Sequence, residues 1–209
     1  PNEQFLAELF TSAFAGDATT NLYKLFIDSR TRSIDIGAKA MFTAVFEEAG
    51  YPIVIFLTDV AAPNLNDEKL GAVRAATMEE LRRVAALADG SAELKAFNDR
   101  IASRLTLATR GLARFVNSPP GFGARGGGSA WMDHLLMLEK TPEFRKSVTL
   151  KPQVAFVRGL LASDRNVWRD YLAKWKLTGT TPYVTAARPS PSLLQREESE
   201  RVARASTEA

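Results

Sequence analysis

Between Ile34 and Phe46 the hydrophobic period of this chain changes, and that change limits the architecture more than any other feature. Ile34, Ile36, Ala38, Ala40, Phe42, Ala44 and Phe46 alternate with mostly polar neighbours, the pattern of a strand buried on one face. EEAGYP follows, with Gly50 and Pro52 as turn residues. YPIVIFLTDV comes next, dense in β-branched and aromatic side chains. The pair predicts an antiparallel hairpin. Strand character returns only at Thr181 to Ala187 (TPYVTAA). The expected class is therefore α+β: helices packed on an antiparallel sheet, then a mostly helical region and a linker helix.

Phe5, Leu6, Leu9, Phe10 and Phe14 recur at helical spacing, GDATTN interrupts, and Leu22, Tyr23, Leu25, Phe26 and Ile27 resume the pattern. This predicts two helices at a tight corner, with Gly16 supplying the bend and Asp17 the N-cap. PNLNDEKLGAVRAATMEELRRVAAL is a further helix capped by Asn66 or Asp67. ADGS ends it, and Ser91 caps a long helix from about Ala92 to Val116. Asn117, Ser118 and the Pro119-Pro120 pair close that helix, because a residue before proline is pushed out of the α region. Short helices are expected at Ser129–Glu139, after Pro142, and from Lys151-Pro152 to about Leu161. Ser163 or Asp164 would cap NVWRDYLAKWK, and RPSPSLLQREESERVARASTEA reads as a charged helix started by proline. The organisation expected is residues 1–118, a Gly/Pro-rich connection at 119–128, a helical region at 129–187 and a linker helix at 188–209. No internal repeat is present.

The 209 residues contain no cysteine and one histidine. Disulfides, thiolate metal sites and cysteine nucleophiles are thereby removed, while the compartment stays open, periplasm and cytosol alike. A net charge of +3 gives no warrant for a nucleic-acid footprint, which needs clustered basic residues. Arg82, Arg83, Arg100 and Arg104 lie beside acidic residues on helical patterns and read as a solvated helix face. No apolar run reaches the roughly 20 residues that span a bilayer, so no membrane partner is expected, and no signal peptide is visible. The chain opens on PNEQFLAELF without an initiator Met, and reads as a piece of something longer.

Gly121, Gly123 and Gly126 match G-x-G-x-x-G. That fingerprint needs a preceding strand within a βαβ unit, and here a long helix and two prolines precede it. The glycines read as a turning connection between helices; anion or nucleotide binding at Gly121 to Ser129 is the weaker alternative. His134 has Asp133 and Glu139 nearby, but no H-x-x-E-H motif or its reverse, and adjacent residues diverge on a helix. It reads as a structural histidine. GGGSA is only loosely a nucleophile elbow and has no strand before it. Glu47-Glu48 and Glu79-Glu80 read as solvated pairs. Trp131, Trp168, Tyr171 and Trp175 sit in the second half, and the last three, at i, i+3 and i+7, read as a packing face. No catalytic, cofactor-binding or metal-binding residue is assigned.

The order of two helices with Thr19-Thr20-Asn21-Leu22-Tyr23-Lys24, a hairpin, a helix, and a long helix opened by Glu93-Leu94 resembles part of a repeat domain. That domain belongs to the insulinase/pitrilysin-type zinc metallopeptidases. TPYVTAARPSPSLLQREESERVAR, with Pro189-Ser190 at the turn, is similar to the junction between halves in the presequence-protease-like, single-chain branch. SPPGFGARGGGSAWMDHLLMLEKTPEFRKSVTLKP is similar to bacterial and fungal members of that branch. The family's H-x-x-E-H is absent. The resemblance places it upstream of Pro1, and the groups that bind substrate backbone downstream of Ala209. It implies a non-catalytic segment that walls a peptide chamber, while the parent enzyme uses a zinc-bound water and a glutamate base. Its partners would be the parent's other domains and a peptide substrate. The alternative is an inactive scaffold or interaction module of the same fold. Unpaired strand edges also predict self-association of the isolated segment.

Overall fold

In a computed structural model of the chain, the structure describes residues 2–46, 52–117, 150–188 and 190–208. Helix α1 (Asn2–Phe14) supplies the centre of the core. Leu6, Leu9, Phe10, Ala13 and Phe14 recur every three or four residues and are all buried. The Phe10 ring lies 5.4 Å from Phe14, 5.6 Å from Phe97 and 5.3 Å from Trp168, distances at which aromatic pairs attract beyond their burial alone. Helix α2 (Asn21–Phe26) adds Leu22 and Phe26. Helix α3 (Asp67–Ala86) adds Val73, Met78, Leu81 and Val84. Helix α4 (Ala92–Asn117) contributes Leu94, Phe97, Ile101 and Leu105, one stripe at i, i+3, i+7 and i+11. Val154 and Val157 of α5 (Lys151–Leu161) and Trp168 and Leu172 of α6 (Trp168–Lys174) complete the same cluster. With the antiparallel pair β1 (Ala40–Val45) and β2 (Ile53–Thr58), the chain is α+β.

The corner between α1 and α2 is tight, but Asp17 is not its N-cap. Thr20 holds that position. Its hydroxyl donates to Asp17 O at 2.7 Å and accepts from Gly16 N at 3.1 Å. Asp17 instead binds the Thr19 hydroxyl at 2.6 Å and the Thr19 N–H at 2.9 Å, with Arg104 at 2.6 Å. The Thr19 hydroxyl bond, aided by Arg104, lowers the Asp17 carboxyl to about 2.

The alternation beginning at Ile34 also takes a different form. The strand starts at Ala40, because Gly37 adopts φ +71, a left-handed conformation that breaks the extended run. A side chain there would meet Ala61 Cβ at 3.0 Å. Ile36 and Ala38 point inward, but the inward set then shifts to Met41, so Phe42 and Phe46 are exposed, not buried. A slip of one residue turns a whole strand face over. The register pairs Met41 with Leu57, Thr43 with Ile55 and Phe42 with Phe56. Leu57 and Ile55 pack on the core, while Phe42 and Phe56 stack at 4.5 Å on the outer face.

Local signals hold elsewhere. Asn66 caps α3, its side chain accepting from Lys69 N at 3.0 Å. Ser91 Oγ accepts from Leu94 N at 3.2 Å at the start of α4. Pro152 sits in the first turn of α5, where its missing N–H leaves no helical bond unmade. Neither Ser163 nor Asp164 caps α6. Asn166 reaches Trp168 N instead, accepting at 3.1 Å. Thr181 to Ala187 is exposed and is not a strand; among the described residues no neighbouring strand pairs with it. The charged helix α7 (Pro191–Glu208) carries ion pairs at helical spacing, such as Arg201–Glu198 at 2.7 Å. The Arg188 guanidinium just before it donates to Leu65 O.

Candidate functional site

Helices α2, α3 and α4 converge on a cleft of about 380 Å³. α2 contributes Asn21, Lys24 and Leu25, and Thr31 follows it in the chain. Glu80, Arg83 and Leu87 come from α3 and its end, and Glu93, Ala96, Phe97 and Arg100 from α4. Glu80 and Arg83 are one turn apart, while Glu93, Phe97 and Arg100 fall on one helical face at i, i+4 and i+7. The apolar stripes beneath fix both helices, so the polar groups meet at the rim of the core.

Arg83 is the hub. Its Nε donates to Glu80 Oε2 at 2.7 Å and its Nη2 to Glu80 Oε1 at 2.6 Å, a forked pair. Its Nη1 donates to Glu93. The hydrogen bonds to Glu80, followed by the opposite charge there and Glu93, raise the Arg83 pKa despite partial burial. Asn21, buried at the start of α2, donates through Nδ2 to Glu80 Oε1 at 2.5 Å. Its Oδ1 accepts from Arg100 Nη2, also at 2.5 Å. Arg100 lies over the Phe97 ring, 5.0 Å from its centroid. Desolvation first, then the nearby Arg83 charge, lower its pKa. Its Nε is buried without a hydrogen-bond partner.

Glu80 is buried and bonded from both sides, not solvated; Glu79 beside it is exposed. Arg83, Arg100 and Arg104 are not a free helix face, because each meets a side chain from another element. Arg82 is exposed. Trp168, Tyr171 and Trp175 do pack on the core, and the Trp168 indole N–H donates to Asn98 Oδ1 at 2.8 Å. Gly121, Gly123, Gly126, Ser129, Trp131, Asp133, His134, Glu139, Glu47 and Glu48 lie outside the described residues. The signal for the cluster was present as Glu80-x-x-Arg83 and as Glu93, Phe97 and Arg100 at helical spacing. Nothing local showed that Asn21 would join them.

Among the described residues no group of three or more His, Cys, Asp or Glu side chains could hold a metal ion. The donor set described here therefore does not fit zinc. Both carboxylates of the cleft are engaged by the same guanidinium, so neither is arranged as an acid–base pair around an open position. Among the described residues no helix is long and apolar enough to cross a membrane. The chain matches no protein-family model, no curated protein and no solved structure.

Proposed function

We propose that this chain is a non-catalytic segment of a zinc metalloendopeptidase, forming part of a peptide-enclosing wall and the start of a linker between halves. The observation that supports this reading is the meeting of the two elements that carry the resemblance. Asn21, inside TTNLYK, and Glu93, which opens the long helix, join one hydrogen-bonded network through Glu80 and Arg83. In this reading the network fixes the α2 corner against the α3–α4 pair and so shapes a wall. The chain itself contributes form and confinement, and the zinc and its general base belong to another domain. The test adds zinc to the chain and follows cleavage of a fluorogenic peptide. No chelator-sensitive cleavage is expected, and an H-x-x-E-H is expected upstream in the same reading frame. Cleavage that a chelator abolishes would overturn the proposal.

The exposed Phe42–Phe56 stack favours a second reading, an interaction module of the same fold. These rings are 50% and 38% exposed on the outer face of the hairpin. If that face carries the function, light scattering on the chain shows specific oligomers, and replacing both rings by serine disperses them with little change in stability. Clean monomers at all concentrations would remove this reading.

A further inference from the structure

The charges lining the cleft do not balance. Lys24, Arg83 and Arg100 stand against Glu80 and Glu93. Arg83 engages both carboxylates, and among the described residues neither Lys24 nor Arg100 forms an ion pair, although the Glu80 charge acts on Arg100. On the Arg100 guanidinium, Nη2 is taken by Asn21 and Nε is sealed away without a partner. Among the described residues Nη1 makes no hydrogen bond. We propose that this cleft binds a carboxylate on a small apolar body, with Arg100 and Lys24 holding the carboxylate and Leu25 and Ala96 flanking the rest.

The cleft has a volume of about 380 Å³ and stands half open to solvent, room for a small molecule held at its rim. A single negative charge matches the single excess positive charge. A cation would be repelled by Lys24 and Arg100, and phosphate, which has no apolar body, would gain nothing from the apolar side chains of the cleft. The Thr31 hydroxyl, which donates to Lys24 O at 2.8 Å, keeps an accepting oxygen at the same rim for an amide N–H. An incoming anion also offsets the Arg83 charge that acts on Arg100. The inference does not depend on the chain being part of a peptidase.

N-acetyl-L-leucine is the probe, titrated into the ¹⁵N-labelled full chain and followed by amide NMR shifts. Its uncharged amide, N-acetyl-L-leucinamide, and inorganic phosphate are the controls. Saturable shifts confined to the Asn21–Leu25, Glu80–Leu87 and Glu93–Arg100 segments are expected with the acid, and much weaker ones with either control. Arg100→Gln should weaken binding about tenfold or more, since it removes a charge-assisted hydrogen bond. Lys24→Gln, at an exposed position, should weaken it severalfold and serves where Arg100→Gln does not fold. An acetylated pentapeptide ending in leucine distinguishes two sources of the carboxylate: binding equal to that of the free acid assigns the cleft to peptide C-termini, and weaker binding assigns it to free acids. Absence of saturable shifts with the acid, equal binding of the amide or phosphate, or binding untouched by Lys24→Gln would overturn the proposal.

Discussion

Asn166 joins two parts of the chain that are far apart in sequence, and changing it gives a sharp test of the fold. Its side chain is fully buried. Nδ2 lies 2.9 Å from Val84 O, 3.2 Å from Ala85 O and 3.0 Å from Leu87 O, the carbonyls at the end of α3, and Oδ1 accepts from Trp168 N. Carbonyls can only accept, so the amide orientation is fixed by its surroundings. Asn166→Ala leaves the buried Trp168 N–H without a partner. Val84 O keeps Leu87 N at 3.3 Å, and Leu87 O keeps Arg169 at 3.3 Å, so the loss is mainly one orphaned donor and the Ala85 contact. A buried group left unsatisfied costs about 1–3 kcal/mol, which gives roughly 3 kcal/mol in all. For a chain of this size that lowers the melting temperature by about 6–12 °C.

Asn166→Asp separates this account from simple loss of volume. It retains the acceptor for Trp168 but sets a carboxylate against three carbonyl oxygens. At neutral pH it should destabilise more than alanine, by about 1 kcal/mol or more. Burial raises the carboxyl pKa in the folded state, so the folded form binds the proton more tightly than the unfolded form. The stability of Asn166→Asp relative to Asn166→Ala therefore falls as pH rises above about 4, the ordinary carboxylate value, and through the raised folded value. Urea unfolding followed by tryptophan fluorescence measures both. An aspartate variant as stable as the parent at neutral pH, or a flat difference across that range, would refute the reasoning.

Glu80→Gln removes the charge that Arg83 grips with two donors, and should cost about 2 kcal/mol in urea unfolding. Its effect should be much larger than that of Glu79→Gln at the exposed neighbour. Asp17→Asn should cost less than about 1 kcal/mol, because the pair with Arg104 is half open to water. The Asp17 carboxyl is depressed from 3.8 to about 2 in the folded chain. Its contribution is therefore fully present above about pH 4 and is lost as pH falls towards 2; acid unfolding of parent and Asp17→Asn should converge there.

What could be read from the sequence was what neighbours in sequence decide. Asn66 and Ser91 cap the helices they precede, because a cap needs only a side chain and the next turn. The hairpin was legible as well, since both strands and their turn lie within twenty-five residues. Its inward face was not. Gly37 and the slip before Met41 depend on how the backbone passes Ala61, and no alternation count contains that. The α6 cap was placed at Ser163 or Asp164 because both are near. Val167 holds the cap position without a side-chain bond, and Asn166 before it binds the Trp168 N–H, its orientation set by carbonyls 79–82 residues away. Glu80 read as solvated for the same reason, since its burial comes from Asn21, 59 residues earlier.

The cleft differs in kind from the core beneath it. Burying Phe10, Phe97 and Trp168 together stabilises the fold by several kcal/mol, at roughly 25 cal/mol per Å² of apolar area removed from water. The half-exposed pair of Arg83 with Glu93 contributes at most about 1 kcal/mol. Arg100 is less fully satisfied than Arg83: it carries a charge into partial burial beside Arg83 and leaves Nε–H unpaired, set against its bond to Asn21 and the Phe97 ring beneath it. A leucine or methionine there would lie on Phe97 without either penalty. Groups that lower the stability of the free chain while facing an open volume are what binding requires, because their unmet interactions are completed only by a ligand. On that ground the Arg100 rim, rather than the better satisfied Arg83 hub, is where the proposed carboxylate would be held.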